Sequence, residues 1–332
     1  MKRRSRSGVP RPASMDLGTS VGSVALRNPV MTASGTSGRG RELADYMDLA
    51  TLGAVVVKSI SARPWAGNPA PRLLPKGTGM LNSVGLENPG IEEWLRRDLP
   101  ALAATGAFVV VSIWGFTTDA YRDVAAAVGK AHADGNAPRV VAVEANISCP
   151  NVEDRRRMFA HSSEGVKAAV EAVAEGLQGC LPIWAKLSPN VTDLPAMAGA
   201  AQAAGASAVT LINTVMGLAL DPATGRPLLG GGGGGLSGPP IHPVAVRAVF
   251  DCRAALPDLP IVGVGGVSSG AGAAELIAAG ADAVQVGTAN FADPTSPARV
   301  LRELREWAYE HDIKDLDQLK GIAHERDRGS GT

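Results

Sequence analysis

One phrase recurs along this chain and limits what it can fold into. An alanine-rich or polar run ends on Gly, and a β-branched run begins a few residues later. Leu52-Gly53-Ala54 precedes VVVK, Thr105-Gly106-Ala107 precedes FVVVS, Ala204-Gly205-Ala206 precedes SAVTLIN, and Ala279-Gly280-Ala281 precedes DAVQVG. Gly suits the left-handed position that stops a helix. A short Val/Ile run after it reads as a strand buried on both faces. The pattern predicts strands near 29–34, 53–59, 108–112, 140–146, 183–187, 208–213, 261–264 and 283–286. Helices are expected near 39–50, 90–103, 118–134, 162–178, 193–204, 240–255, 269–279 and 297–311. Asp193 and Ser269 stand where N-caps belong, and Pro240 and Pro297 suit a first helical turn. Strict alternation means a parallel sheet. Eight units within 332 residues favour closure into a (β/α)8 TIM barrel over an open doubly wound sheet.

With 45% hydrophobic residues the chain can bury one large core. The expected organisation is a disordered basic tail at 1–15, a single barrel domain at 16–325 and a flexible C-terminus at 326–332. Lys plus Arg and Asp plus Glu both number 32, which gives no reason to expect nucleic acid or an anionic membrane as partner. The tail carries Lys2, Arg3, Arg4, Arg6 and Arg11, but Val9-Pro10-Arg11-Pro12 follows where a signal peptide would need an apolar run. No stretch approaches the roughly 20 apolar residues that span a bilayer, so a cytoplasmic protein is expected. Cys149, Cys180 and Cys252 are far apart without a CxxC, and the histidines lack HExxH spacing. No metal, iron–sulfur cluster or disulfide framework is expected in this chain.

Long loops are expected after strands 2, 4 and 6. Those at about 59–89 and 214–239 follow strand C-termini, where barrel enzymes place their chemistry. The latter contains six consecutive glycines at 230–235. They read either as a mobile low-complexity surface loop or as a directly functional one.

Polar residues sit at the strand ends: Ser34-Gly35-Thr36, Lys58-Ser59, Ser112, Asn146 with Ser148 and Cys149, Lys186, Asn213-Thr214, Gly265-Gly266 and Gly287-Thr288. Their convergence on one rim predicts a site. Gly265-Gly266 and Gly287-Thr288 read as a monophosphate cradle or as simple tight turns. Lys58 and Lys186 end buried-looking strands. Each needs an electron-rich partner such as a flavin, or a structural ion pair with a barrel carboxylate such as Glu144. Asn82, Asn146, Asn151, Asn213 and Thr214 suit a flat ring edged with C=O and N–H groups, such as a pyrimidine. Cys149 alone would read as a buried structural thiol, but in this polar setting a modestly activated thiol can act as a base near neutral pH.

NISCPNV (146–152) resembles the active-site signature of class 1 dihydroorotate dehydrogenases. Further matching segments follow in order: NPVMTASGT (28–36), LGAVVVKS (52–59), GNPAPR (67–72), GMLNSVGLENPG (79–90), KLSPNVTD (186–193), LINTVMG (211–217), GGLSGPPIHPVA (234–245), VGVGGV (262–267) and VGTANFADP (286–294). The resemblance implies oxidation of dihydroorotate to orotate, a step of pyrimidine biosynthesis. Cys149 would remove the C5 proton while C6 passes hydride to FMN, with Lys58 also in the catalytic set. It implies substrate contacts at Lys58, Asn82, Ser83, Val84, Gly85, Leu86, Asn146, Asn151, Asn213 and Thr214. It implies FMN contacts at Ser34, Lys58, Ser59, Asn146, Lys186, Ile212, Gly238, Gly265, Gly266, Gly287 and Thr288. The text is most similar to the NAD-linked (class 1B) catalytic subunit. That resemblance implies a homodimer paired with a second subunit carrying FAD and a 2Fe–2S cluster. The other readings are a related FMN-dependent dihydropyrimidine oxidoreductase and a non-catalytic barrel. Four features depart from the family pattern: Ser112 where Asn is frequent, GTSG at 35–38 in place of GTFG, the basic run Arg155, Arg156 and Arg157 after the signature, and the glycine run at 230–235.

Overall fold

The structure, a computed structural model, describes residues 16–148 and 159–325. The expectations placed on 1–15, 326–332, Cys149 and Asn151 fall outside the described residues. Strands are numbered in chain order. β1 (Thr19–Val21) and β2 (Val24–Leu26) form an antiparallel hairpin. The barrel strands are β3 (Val30–Thr32), β4 (Val55–Val56), β7 (Val109–Ile113), β8 (Val140–Asn146), β9 (Ile183–Leu187), β10 (Ala208–Leu211), β13 (Ile261–Val264) and β14 (Ala283–Val286). They pair in parallel in the order β3-β14-β13-β10-β9-β8-β7-β4. A parallel bridge between Met31 and Ala54, with Gly53 N donating to Val30 O at 2.8 Å, joins the ends of the sheet into a (β/α)8 barrel.

The side-chain period of two divides the core. Outward residues such as Val55, Val57, Val109, Val111, Val143, Leu187, Val209 and Val284 pack with the helices. Inward residues Met31, Val56, Val110, Ala142, Trp184, Ala208, Val262 and Ala283 form a second cluster with Val21, Val24 and Leu26 of the hairpin, which plugs one end. Trp184 fits there because its neighbours are mostly alanine and valine. Two residues further along several strands the inward positions turn polar: Ser112, Glu144, Lys186, Thr210 and Gln285.

The helices are α1 (Ile91–Glu93), α2 (Leu99–Ala103), α3 (Thr118–Ala133), α4 (Ser163–Leu177), α5 (Leu194–Ala203), α6 (His242–Ala255), α7 (Gly270–Ala278), α8 (Ala289–Ala292) and α9 (Ser296–Glu310), and all but α8 fall in the expected order. Asp193 accepts from Ala196 N at 2.9 Å and Ser269 from Gly272 N at 3.2 Å, each as an N-cap. Gly106, Gly205 and Gly280 have positive φ, as a helix stop requires. Gly53 serves differently, since a Cβ there would lie 2.3 Å from Asn28 O.

Four expectations need correction. The helix at 39–50 is only two 3₁₀ turns, Glu42–Asp45 and Leu49–Thr51. The helix at 90–103 contains a π-helical turn, Trp94–Asp98, between α1 and α2. Pro240 lies in a 3₁₀ turn, Pro239–Ile241, ahead of α6. The loops after strands 2 and 6 are not structureless. They supply β5 (Leu73–Lys76), β6 (Gly79–Asn82), β11 (Val215–Gly217) and β12 (Gly234–Ser237), which join as one antiparallel sheet, β11-β12-β6-β5. The glycine run is therefore not a structureless loop, since its last two residues begin β12. Gly234 pairs with Gly217, and Cβ atoms at Gly230, Gly231 and Gly234 would lie 2.3, 2.3 and 2.4 Å from neighbouring oxygens.

Cys252 on α6 is fully buried, and burial, with Asp251 and Asp193 nearby, pushes its thiol up from 9.0 to about 12. The folded state thus holds this proton more tightly than the unfolded chain. Its contribution to stability is full below about pH 9 and is lost as pH rises toward 12. At pH 8 a thiol reagent should label exposed Cys180 and spare Cys252 until denaturant is added, with peptide mapping as the readout. Rapid labelling of Cys252 in the native protein would contradict this packing.

Candidate active site

A cleft opens at the C-terminal ends of the barrel strands, under the inserted sheet. Barrel strand ends supply Ser34, Lys58, Ser59, Asn146, Lys186, Ile212, Asn213, Thr214, Gly265, Gly266, Gly287 and Thr288 to its wall. The inserted segments supply Asn82, Val84, Gly85, Leu86 and Gly238. The expected residues that the structure describes are thus brought together, with one exception. Ser83 is fully buried and faces away from the cleft, its Oγ accepting from Asn68 Nδ2 at 2.9 Å. Alternation along an extended segment explains this, since Asn82 and Val84 share the cleft face. Leu73, Met80, Ile241 and Phe291 also line the cleft and were not foreseen. Leu73 and Met80 belong to the unexpected sheet, and Phe291 to the unexpected short helix α8.

Both lysines meet carboxylates. Lys58 Nζ lies 3.2 Å from Glu87 Oε2, whose other oxygen is 3.6 Å from Arg39 Nη1. Lys186 Nζ lies 3.6 Å from Glu144 Oε1 and 3.4 Å from Gln285 Oε1. Glu144 Oε2 accepts from Gln285 Nε2 at 2.8 Å and from Thr210 Oγ1 at 3.2 Å. The ion pair with Glu144 and the position on the cleft wall therefore coexist at Lys186.

Between the lysines runs a network of amides and hydroxyls. Asn146 Nδ2 donates to Ser59 Oγ at 2.9 Å, and its Oδ1 accepts from Asn213 Nδ2 at 3.4 Å and Ser148 Oγ at 3.2 Å. These partners fix which way the Asn146 amide faces. Tyr121 holds the backbone of the same residue, its hydroxyl donating to Asn146 O at 2.8 Å. Ser34, Ser59 and Ser112 form a triangle of hydroxyls at 2.9–3.2 Å. Ser112 lies behind the other two and does not reach the cleft.

At the other end of the cleft, Gly265 and Gly266 have φ of 138° and 69°, which disfavour any other residue. His242 Nδ1 lies 2.8 Å from Gly265 O, and its Nε2 lies 3.1 Å from Glu275 Oε2, which braces the turn. No hydrogen bond among the described residues uses the backbone N–H of Gly265, Gly266, Gly287 or Thr288. Free N–H groups on adjacent glycine turns are what a phosphate needs.

The glycine run shapes the roof. A Cβ at Gly235 would lie 2.0 Å from Thr214 Oγ1, and Asn82 Nδ2 donates to Gly235 O at 3.2 Å. Bare backbone at Gly235 lets Asn82 and Thr214 share one wall of the cleft.

The family model described as Dihydroorotate dehydrogenase matches residues 16–307. The protein named dihydroorotate dehydrogenase B (NAD(+)), catalytic subunit, of Desulforudis audaxviator strain MP104C is 46% identical over 304 residues, covering 92% of this chain and 96% of its own. Its namesake in Geobacter sp. strain M21 is 44% identical, covering 92% and 97%. The fold resembles the crystal structure of DHODH in complex with ferulenol from Eimeria tenella, with a TM-score of 0.76 at 21% identity, covering 93% of this chain and 89% of that one.

Gly235→Ala should lower stability by about 1–3 kcal/mol, the usual cost of overpacking, because Thr214 must move. Thermal unfolding checks it, and an unchanged midpoint would contradict the contact between Gly235 and Thr214.

Proposed function

The chain belongs to the dihydroorotate dehydrogenase family, and we propose that it oxidises dihydroorotate to orotate in pyrimidine biosynthesis with FMN as its cofactor. The observation that carries this reading is the grouping of Lys58, Lys186, Asn146 and Asn213 in one cleft whose far end offers unbonded N–H groups.

The residues present fit FMN. The N–H groups of Gly265, Gly266, Gly287 and Thr288 would hold its phosphate. Ser34, Ser59, Asn146, Ile212 and Gly238 would flank the rest, with Lys186 at the ring. Bound FMN supplies a two-electron acceptor for the hydride that leaves C6 of the substrate. Asn82, Asn146, Asn213 and Thr214 offer donors and acceptors to the edges of a pyrimidine, with Val84, Gly85 and Leu86 against its face. Lys58 supplies positive charge beside the substrate's anionic groups and would exchange part of its contact with Glu87 for them. Cys149 takes the C5 proton, and Asn151 follows it on the substrate side. These last two roles rest on the NISCPNV signature.

Relatives of this length are named catalytic subunits of an NAD(+)-linked enzyme. That supports a separate electron-transfer subunit, and we propose, from the class 1B resemblance, that this subunit carries FAD and a 2Fe–2S cluster and that the chain works as a homodimer in the cytoplasm. Among the described residues no helix is long and apolar enough to cross a membrane.

Anaerobic addition of dihydroorotate to the FMN-loaded chain should bleach the flavin spectrum. Cys149→Ala should keep FMN yet slow this bleaching by about 10²–10⁴-fold, the usual worth of a general base. Cys149→Ser should recover part of the rate at high pH. Near-normal bleaching in the alanine variant would remove Cys149 from the mechanism. A flavin that dihydroorotate leaves oxidised would move the substrate to another dihydropyrimidine.

A further inference from the structure

Glu144 is the one fully buried carboxylate inside the barrel among the described residues, and the proposed mechanism does not use it. It lies two residues before Asn146 on β8, hence on the same face and one layer deeper. Its Oε2 is held by Thr210 and Gln285, so its position is set by two other strands. Its Oε1 has no hydrogen-bond partner among the described residues and faces Lys186 Nζ at 3.6 Å. A charge-assisted bond would be about 2.7–2.9 Å long. The ammonium is therefore attracted from below but not seized. Its contact with Gln285 Oε1 is also long at 3.4 Å, and the same Gln285 amide donates to Glu144. Lys186 thus stands between a fixed negative charge beneath it and the cleft above.

We infer that Glu144 is a positioning residue that lowers the reduction potential of the bound flavin through Lys186. This rests on the FMN reading given above. An ammonium at the ring favours the reduced, anionic flavin. A carboxylate directly behind that ammonium offsets part of its field and keeps the ammonium from moving up to the ring. The physical reason for such an arrangement lies in the two halves of the reaction. The two electrons received with the substrate's hydride must leave again to an acceptor, and an uncompensated lysine would hold them too firmly. Thr210 and Gln285 serve by anchoring the counter-charge.

The test uses the FMN-loaded full chain and two probes, a reference dye in an anaerobic redox titration and sulfite, an anion that adds to oxidised flavin. Glu144→Gln should shift the flavin–dye equilibrium toward reduced flavin by about tenfold or more, the scale of a unit charge removed at an effective dielectric of about 20. A tenfold shift corresponds to about 30 mV for a two-electron couple. Sulfite should bind correspondingly tighter. Thr210→Val removes a hydrogen bond from the same carboxylate without changing charge and should move both readouts much less. An unchanged or lowered potential in Glu144→Gln would overturn the inference, as would an equal shift in Thr210→Val. Should Glu144→Gln not fold, Glu144→Asp draws the charge back by one methylene and should shift both readouts in the same direction by a smaller factor. No shift there would be equally fatal. A wild-type chain that takes up no FMN would instead overturn the FMN reading, and this inference with it.

Discussion

Everything in this molecule depends on strands that are buried on both faces. Their outward side chains seal against helices, and their inward side chains must fill a space too narrow for bulk water. The chain meets that constraint by grading the interior. Trp184 with small neighbours fills the end plugged by the β1–β2 hairpin. Polar inward positions begin only where they can satisfy one another, at Glu144, Thr210, Gln285 and Lys186. Above them the interior opens into the cleft. The site is the level at which the barrel stops being a core.

The second element of the site is the sheet built from the insertions after strands 2 and 6. It brings Asn82 and Thr214 to one wall, and it does so through glycine. Side chains at Gly230, Gly231, Gly234 and Gly235 would collide with the backbone of the 69–82 segment or with Ser83 and Thr214. At these four positions glycine permits close approach, and residues 234–237 are held as a strand between β11 and β6.

The barrel was legible because each strand announces itself locally. A Gly stop and a Val/Ile run need no knowledge of distant sequence, and the caps at Asp193 and Ser269 are equally local. What stayed illegible was non-local. Nothing in 73–82 says that it will pair with 234–237. The glycine run left two readings open for the same reason, since its neighbours lie far off in sequence. Ser83 is a different case. Simple alternation from Asn82 would have turned it away from the cleft, had the segment been taken as extended. The family signature pointed to residues that do share one cleft, while Cys149 and Asn151 lie beyond what the structure describes.

The pairing of β6 with β12 also bears on how the chain reaches its fold. The bond from Asn82 to Gly235 closes a loop of 153 residues. Contacts of such long range form late, because their closure entropy is repaid only by structure already assembled. The barrel wall can grow strand by strand from neighbouring units, but the roof joins the second unit to the sixth. The wall that carries Asn82 and Thr214 is thus among the last parts of the molecule to form, and a nascent chain lacks a complete cleft until the turns at Gly265-Gly266 and Gly287-Thr288 have left the ribosome.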